Sequence, residues 1–150
     1  MDQRFKECVD SLEPNFLRLV NSTPAERTAI SEKGGVYLFT EGTKHLYVGR
    51  TKNLKRRIYE HSTPSSDDVP FAFRLAREKT NRSRATYKTH GSRKELLKDP
   101  KFKVAFAEAK KRIRGMSVRF VVEEDPLKQA LLEIYVALAL STPHNDFDTH

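Results

Sequence analysis

Residues 34–61 read GGVYLFTEGTKHLYVGRTKNLKRRIYEH, and this stretch decides the fold. Two strand-like runs, GVYLFT and HLYVG, are separated by EGTK, a turn that contains a glycine, so the pattern predicts a β-hairpin. A three-residue loop over 41–43 would place Tyr37 opposite Tyr47, although a bulge would shift that register. Asn53 is a good N-cap, and a helix is therefore predicted to begin near it and to run through LKRRIYEH.

One stripe of that predicted helix mixes apolar and cationic side chains. Positions i, i+3, i+4 and i+7 of the stripe hold Leu54, Arg57, Ile58 and His61. The leucine and the isoleucine indicate that the stripe faces inward. Arginine and histidine on an inward face need partners, because burying an unpaired charge is costly. Taken singly, an ion pair for Arg57 and a capping or core role for His61 are the simpler interpretations. The neighbouring basic residues can point to solvent or to a phosphate backbone: Lys52, Lys55 and Arg56.

The rest of the chain supplies helices and one more strand. Residues 2–20 carry apolar side chains at helical spacing, which predicts one amphipathic helix. The dipeptides Asp99-Pro100 and Asp125-Pro126 each place a capping aspartate before a proline, which is typical of a helix start. A strand, MSVRFVVEE, lies between these two helices. The order predicts an α/β (α+β) domain around a small, mainly antiparallel sheet, with a helical extension over 1–33 and the main domain over 34–150.

Composition and charge limit the classes of function. A chain of 150 residues fits one domain, and a single cysteine excludes a disulfide framework. With no signal-like start and no membrane-spanning apolar run, the sequence predicts a soluble cytoplasmic protein without a membrane partner. The formal charge is +8, and residues 74–119 hold 16 Lys or Arg against 4 Asp or Glu. Such a block favours a nucleic-acid partner over a merely solvated basic face.

A basic insertion over about 74–98 is predicted to supply phosphate contacts that position the substrate. Its segment TNRSRATYKTHGSRK has no clear helical or strand period, so it is expected to form a basic loop. The residues singled out for phosphate contact are Arg82, Arg84, Lys88 and Arg93.

The last predicted helix carries a carboxylate in an unusual place. PLKQALLEIYVALAL is apolar nearly all round, so the helix is predicted to be buried, yet Glu133 lies at its middle. Its small neighbours Ala130 and Ala137 leave room, which makes Glu133 a candidate metal ligand or general base. The alternative is a structural ion pair, for instance with Arg57. Asn145, in the turn that follows, can orient a tyrosine, a phosphate or the local backbone.

These motifs together resemble one known family. GVY at 35–37, YVG at 47–49, an arginine ten residues after the second tyrosine and a histidine four residues further match the GIY-YIG nuclease superfamily in type and spacing. Glu133 and TPHND, which includes Asn145, extend the resemblance over about 34–147. The resemblance implies a three-stranded antiparallel sheet flanked by helices, and phosphodiester cleavage assisted by one divalent metal ion, Mg²⁺ or Mn²⁺.

The resemblance also implies a role for each matching residue. Tyr37 and Tyr47 belong to the site, Arg57 binds the phosphate, His61 lies beside a tyrosine, and Glu133 binds the metal. Gly35 and Gly49 would allow close backbone approach. Tyr37 is the candidate base, aligned by His61, while Tyr47 orients the water or the phosphate; these two roles are open to exchange. His45 is a weaker candidate for the same proton network.

The sequence therefore predicts a metal-dependent endonuclease that acts on DNA. Without a cysteine-rich zinc module or a tethered DNA-binding domain, a compact restriction-like branch fits best, and a homodimer would suit an enzyme that cuts palindromes. The alternative is a nucleic-acid-binding or regulatory module with the same fold and little activity. A phosphotransferase is disfavoured, because no glycine-rich phosphate loop begins a helix.

Overall fold

The computed structural model describes residues 1–81 and 93–147, so the predicted contact residues Arg82, Arg84 and Lys88 lie outside the described part of the chain. Within that part there are seven α-helices, one short 3₁₀ helix at Arg27–Ala29 and three strands. The strands are β1 (Gly35–Glu41), β2 (Lys44–Thr51) and β3 (Ser117–Val122). The helices are α1 (Gln3–Asp10), α2 (Glu13–Asn21), α3 (Leu54–Glu60), α4 (Pro70–Lys79), α5 (Arg93–Leu96), α6 (Pro100–Arg114) and α7 (Pro126–Leu140).

The three described strands form one antiparallel sheet in the order β2-β1-β3. This confirms the predicted fold class, an α+β domain with a small antiparallel sheet. Strand β1 is central and buried along six of its seven residues. Strand β2 lies at the edge, which leaves its outer backbone groups available to other parts of the chain.

The predicted pairing of the two tyrosines is wrong, because the hairpin has a shorter loop and a bulge. Glu41 pairs with Lys44, so the loop has two residues, and Gly42 adopts a φ of 62° there. The register then shifts between Phe39 and Thr40, which is the bulge. An extra residue on one strand moves every later pair by one position.

The predicted helix over 2–20 is two helices in the structure, with a break between Asp10 and Glu13. Pro14 lies in the first turn of α2, and a proline in a helix interior would clash with the carbonyl four residues earlier. The break lets the two helices take different directions. Leu12 and Leu19 are buried, whereas Phe5 and Val9 of α1 remain exposed.

The described chain divides into two compact units. The first contains Met1–Ile58 and Met116–Asn145, and the second contains Tyr59–Gly115 and the residues after Asn145. In the first unit, one face of the sheet packs against α2 and α7. This core consists of Leu12, Leu19, Val36, Leu38, Val48, Val121, Leu132, Val136 and Ala137.

The second unit is built on the packing of α4 against α6. The ring centroids of Phe73 and Phe106 lie 4.5 Å apart, and those of Phe73 and Phe102 lie 5.8 Å apart. As predicted, Asp99 caps the start of α6, where its side chain accepts a hydrogen bond from a backbone N–H, and Gly115 follows the last helical residue.

Helix α7 begins as predicted, since Asp125 accepts hydrogen bonds from the N–H groups of Leu127 and Lys128. Its predicted burial is only half correct. One face packs on the sheet, but Leu127, Ile134 and Leu138 are exposed, because a sheet covers one side of a helix and no described element covers the other. No helix in the described ranges is long and apolar enough to cross a bilayer.

Candidate functional site

The two tyrosines of the hairpin lie diagonally across the β1–β2 pair. The bulge aligns Tyr37 with Gly49, and Tyr47 with Phe39. The rings of Tyr37 and Tyr47 are 6.5 Å apart between centroids and inclined by 41°. Diagonal neighbours on one face of a sheet are within reach for aromatic rings. The structure therefore brings the two tyrosines together, although through a register different from the predicted one.

The glycines of the two tripeptides make room for this packing. A Cβ on Gly49 would lie 2.3 Å from both Cζ and Oη of Tyr37, so only glycine lets the ring lie against β2. A Cβ on Gly35 would lie 2.1 Å from the carbonyl oxygen of Val121 on β3. Both glycines thus have a packing function within the protein. Their predicted part in substrate binding stays a prediction.

Tyr37 is buried, with 1% of its surface exposed, and its hydroxyl group is hydrogen-bonded to the guanidinium of Arg57. Burial raises the pKa of Tyr37 well above its ordinary value, and the neighbouring Tyr47 adds to that rise. Arg57 opposes the rise through its charge and its hydrogen bond, but burial dominates. In this structure the phenol of Tyr37 is therefore protonated at neutral pH.

Arg57 reaches this tyrosine because α3 is fixed at its start. The side chain of Asn53 accepts a hydrogen bond from the N–H of Arg56, as predicted for an N-cap. Leu54 and Ile58 are fully buried, and Arg57 on the same stripe is half-buried. The inward stripe was predicted correctly, and Tyr37 is one partner that the arginine finds there.

Glu133 extends from α7 toward the edge strand. Its Oε1 atom lies 3.9 Å from Nε of Arg50, and its carboxylate also accepts the backbone N–H of Arg50. Its side chain is 23% exposed. Burial raises the pKa of Glu133, and Arg50 counteracts only part of that rise. The ion-pair partner of Glu133 in the structure is Arg50. The sequence had suggested an ion pair with Arg57 as the alternative to a metal ion.

Arg50 is the site residue that sequence reasoning missed. It directly follows YVG, and this position was the available signal. A groove of about 490 Å³ beside it is lined by Lys52, Gly34 and Glu124, among others. Lys55 and Arg56 are exposed on α3, in agreement with their expected orientation toward solvent or phosphate. Arg50 is therefore a cation that the structure places next to the half-buried carboxylate of Glu133.

The carboxylate of Glu133 fits a magnesium-type ion better than an ion that needs a full protein cage. Among the described residues, no group of three or more His, Cys, Asp or Glu could hold a metal. Mg²⁺ is commonly bound through one or two carboxylates, with water and substrate phosphates completing the shell. One half-buried carboxylate meets that requirement, and Glu133 is the residue that would hold the ion.

Asn145 acts on the edge of the sheet. Its side-chain oxygen accepts the N–H of Val48 at 2.9 Å, and its side-chain nitrogen donates to the carbonyl of Val48 at 2.7 Å. Thr142 also donates to the same oxygen. These backbone contacts are with strand β2, 97 residues away in sequence, and not with the backbone of the turn that holds Asn145. The Asn145 side chain thus forms the two backbone hydrogen bonds that a neighbouring strand would otherwise form on the outer side of β2.

His45 has a partner outside the tyrosine pair. Its Nδ1 atom lies 2.9 Å from the hydroxyl of Thr40, on the paired strand. Burial lowers the pKa of His45, and the charge of Arg119 lowers it further. The imidazole is therefore neutral at pH 7, and its place in a proton network stays a prediction.

His61 and Arg93 belong to the second unit. His61 is fully buried, and its ring meets that of Phe71 edge-on at 6.4 Å between centroids. Arg93 pairs with Asp68 at 3.1 Å and lies over the ring of Phe73. A contact of either residue with substrate stays a prediction.

Comparison with known proteins supports the resemblance. Residues 33–108 match the model of the GIY-YIG catalytic domain. The chain is similar to UvrABC system protein C of Thermosipho africanus (53% identical over 32 residues, 21% of this chain and 6% of that protein) and of Aquifex aeolicus (49% over 37 residues, 25% and 6%). It therefore matches a small part of the length of these relatives. No solved structure matches it. Of the six predicted catalytic residues, four fall inside the family match and two after it: Tyr37, Tyr47, Arg57 and His61, then Glu133 and Asn145.

Proposed function

The chain belongs to the family of proteins with a GIY-YIG catalytic domain, and from that premise we propose that it is a metal-dependent endonuclease that hydrolyses phosphodiester bonds in DNA. The family match covers both tripeptides and the arginine and histidine that follow them. The metal dependence, the roles of individual residues and the choice of DNA rest on the site and on the basic charge of the chain. Its cytoplasmic location stays a prediction.

One observation carries the proposal. Tyr37, Tyr47, Arg57 and Glu133 all belong to the first unit, where the rings of the two tyrosines lie 6.5 Å apart, Tyr37 is hydrogen-bonded to Arg57, and the charge of Glu133 adds to the raised pKa of Tyr37. Phosphodiester hydrolysis needs a cation for the phosphoryl oxygens, a base for the water and a site for a metal ion. This group contains one side chain suited to each task.

Arg57 is proposed to bind a non-bridging phosphate oxygen. Its guanidinium has five N–H donors in a planar fork, so one donor can hold Tyr37 while others reach the phosphate. The bond to Tyr37 fixes the direction of the fork before substrate arrives. Arg50 supplies a second cation beside the groove, and its pairing distance of 3.9 Å to Glu133 leaves it able to turn toward a phosphate.

We assign the base role to Tyr47 rather than to Tyr37, which exchanges the roles favoured by sequence alone. The ring of Tyr37 is buried and its pKa is raised well above the ordinary value, so its proton is hard to remove. Tyr47 is only half-buried, so it can contact a water molecule. Tyr37 then serves as the support that orients Arg57. His61 is kept as a candidate for aligning a tyrosine, on the strength of the resemblance.

Enzymes of this family generally use a divalent metal ion, and we propose that Glu133 holds it, with Mg²⁺ or Mn²⁺ as the ion. Such an ion supplies charge neutralisation on the phosphoryl oxygens when bound. To bind the ion, Glu133 must be ionised and must give up its loose pairing with Arg50. The raised pKa of Glu133 predicts that metal affinity falls as the pH drops toward that pKa.

The test is plasmid cleavage with Mg²⁺ and then Mn²⁺ by the wild type, Glu133→Gln and Arg57→Lys. Glu108→Gln is the matched control, since Glu108 is an exposed carboxylate paired with Lys79 in the second unit. We expect nicked or linear product from the wild type and the control, and a loss of at least about 100-fold in both site variants. Cutting that survives both site substitutions would refute the assigned site.

The second candidate function is a nucleic-acid-binding or regulatory module with little activity. The uneven charge of the chain favours it independently of the catalytic group, because a basic block binds polyanions without chemistry. Salt-sensitive binding of duplex or single-stranded DNA by the wild type, with no cutting under either ion, would select this function over the first.

A further inference from the structure

A second cavity lies in the second unit, against one face of α6. Its volume is about 470 Å³, within the range of roughly 300–1,000 Å³ typical of small-molecule sites. Residues of α6 line one side, and the segment that follows α3 contributes Ser62, Pro64 and Asp67. None of the roles proposed above for the catalytic group uses this cavity.

A buried lysine forms part of its wall. Lys110 is 3% exposed, its Nζ donates to the carbonyl of Thr63, and its ammonium lies 4.9 Å from the ring centroid of Phe106. Burial lowers the pKa of Lys110, and the charge of Asp67 partly offsets that effect. Burying an ammonium is costly, so a lysine held here by one carbonyl and one ring leaves room for an anion that would stabilise it further.

Two exposed cations stand at the same cavity. Lys103 and Lys111 line it, and within the described residues neither side chain has a hydrogen bond or an ion pair. Arg114 also lines it and donates to the carbonyl of Ser62 at 2.8 Å. Lysine and arginine at this density on one helix face are suited to a phosphate group.

The remaining walls of the cavity are apolar, apart from the hydrogen-bond acceptor Asp67. Pro64, Leu97, Ala107 and the largely buried Phe106 line the cavity. A free inorganic phosphate would leave these surfaces uncovered. A planar, weakly polar group fills them better, and Asp67 can accept a hydrogen bond from an amino group at its rim.

We propose that this cavity binds one nucleotide of a nucleic-acid strand, with the phosphate on Lys111 and Arg114, which are neighbours at i and i+3 on α6, and the base between Pro64, Leu97 and Ala107. The inference rests on the proposed function, because the strand is the substrate of the enzyme. The cavity would be a site for an unpaired nucleotide. The inference therefore predicts that the enzyme prefers DNA with a single-stranded or distorted segment. Duplex DNA keeps its bases stacked and would not fill the cavity.

The first experiment measures binding by calorimetry on the full chain in EDTA, so that metal-dependent cleavage is absent. The ligands are deoxyadenosine monophosphate, deoxyribose 5-phosphate, inorganic phosphate and a short single-stranded oligonucleotide. Ala107→Trp fills the cavity from an exposed position, and Val104→Trp, on the same helix but outside the cavity, is its control. We expect the nucleotide to bind more tightly than either phosphate ligand, and Ala107→Trp to weaken it about tenfold or more while Val104→Trp changes it less than about twofold.

Charge variants provide a second arm if the tryptophan variant fails to fold. Lys111→Glu is expected to weaken nucleotide binding about tenfold, whereas Lys101→Glu, an exposed lysine of α6 outside the cavity, is expected to have little effect. The oligonucleotide should compete with the nucleotide. Equal affinity for nucleotide and inorganic phosphate, or equal binding by all four variants, would overturn the proposal. Failure of the oligonucleotide to compete would overturn its assignment to a strand.

These outcomes are separable from the proposed nuclease. A protein that binds the nucleotide in this cavity and never cuts DNA keeps the present inference and loses the proposed activity. A protein that cuts DNA and shows no nucleotide binding in EDTA keeps the proposed activity and loses the nucleotide site.

Discussion

At the scale of single residues, the hairpin tyrosines are distinguished by their surroundings rather than by their chemistry. Tyr37 is enclosed and bonded to Arg57, whereas Tyr47 keeps part of its ring at the surface. We expect Tyr47→Phe to lower the cleavage rate by on the order of 100-fold or more, because a base is lost. Tyr37→Phe should lower it by a smaller factor, because only the orientation of Arg57 is disturbed.

The measurement is single-turnover cleavage by both variants between about pH 6 and pH 9. A pH dependence that Tyr37→Phe retains and Tyr47→Phe loses would agree with the assignment. If Tyr37→Phe is the variant that loses both rate and pH dependence, Tyr37 is the base instead.

Gly49 has a strict steric requirement that involves Tyr37 directly. An added Cβ would meet the Tyr37 ring at 2.3 Å, so either the ring or the strand must move. We expect Gly49→Ala to destabilise the protein by about 1–3 kcal/mol in chemical unfolding and to displace Tyr37 from Arg57. Gly42→Ala is the control, since the turn glycine has open space around it and only its positive φ of 62° opposes alanine. Equal losses in the free energy of unfolding for Gly49→Ala and Gly42→Ala would show that the contact with Tyr37 adds no cost of its own.

The raised pKa of Glu133 predicts that the stability of the protein depends on pH. Because burial holds the pKa of Glu133 in the folded protein above its ordinary value, the folded state binds this proton more tightly than the unfolded chain does. Stability is therefore lost as the pH rises through that range and the carboxyl ionises. We expect Glu133→Gln to raise the melting temperature at pH 7, with a smaller gain at pH 4.

Thermal unfolding at the two pH values checks this, with Glu108→Gln as the exposed control. A melting temperature of Glu133→Gln below that of the wild type at pH 7 would mean that the pairing with Arg50 outweighs burial. A stabilised, inactive Glu133→Gln variant would instead indicate that stability is sacrificed for function at this position.

At the scale of elements, strand β2 holds the tyrosine pair in place from the outer edge of the sheet. Asn145 satisfies both backbone groups of Val48, one residue after Tyr47. We expect Asn145→Ala to destabilise the protein by about 1–3 kcal/mol, because these backbone groups lose their protein partner. Asn145→Asp is the matched variant: it retains the two acceptor contacts, loses the donor to the Val48 carbonyl, and places a charged oxygen against that carbonyl.

Hydrogen exchange at the Val48 amide provides the readout. It should accelerate in Asn145→Ala, whereas the amides of central strand β1 should change little. Unchanged exchange at Val48 would mean that the edge is held without Asn145.

At the scale of the whole molecule, the homodimer stays a prediction. The outer face of α7 exposes Leu127, Ile134 and Leu138 at positions that share one helical face. Exposed apolar residues that share one face can serve as a protein–protein contact surface. We expect the wild type to sediment as a dimer at tens of micromolar concentration, and Leu138→Glu to sediment as a monomer.

Val104→Glu is the control for that experiment, because Val104 is also an exposed apolar residue but lies on α6. It should leave the dimer intact. A monomeric wild type at the same concentration would exclude the homodimer.

Local chemistry was sufficient to predict most of the elements. The caps Asn53, Asp99 and Asp125 marked the starts of three helices, since a side-chain acceptor at the first turn acts within a few residues of its own position. The inward stripe that includes Arg57 followed from helical spacing alone. The single helix predicted over 2–20 failed because Pro14 was not weighed against the apolar period.

The sequence by itself determined the kind of site: two tyrosines, an arginine and a glutamate at family spacing. Only the tertiary structure decided their partners. The bulge set Tyr37 against Gly49, α7 brought Glu133 to Arg50, and the turn after α7 carried Asn145 to the backbone of β2. Local elements are governed by interactions between near neighbours in sequence, whereas these contacts join residues far apart in the chain, and packing of the whole sheet selects among the many partners that charge and size alone would allow.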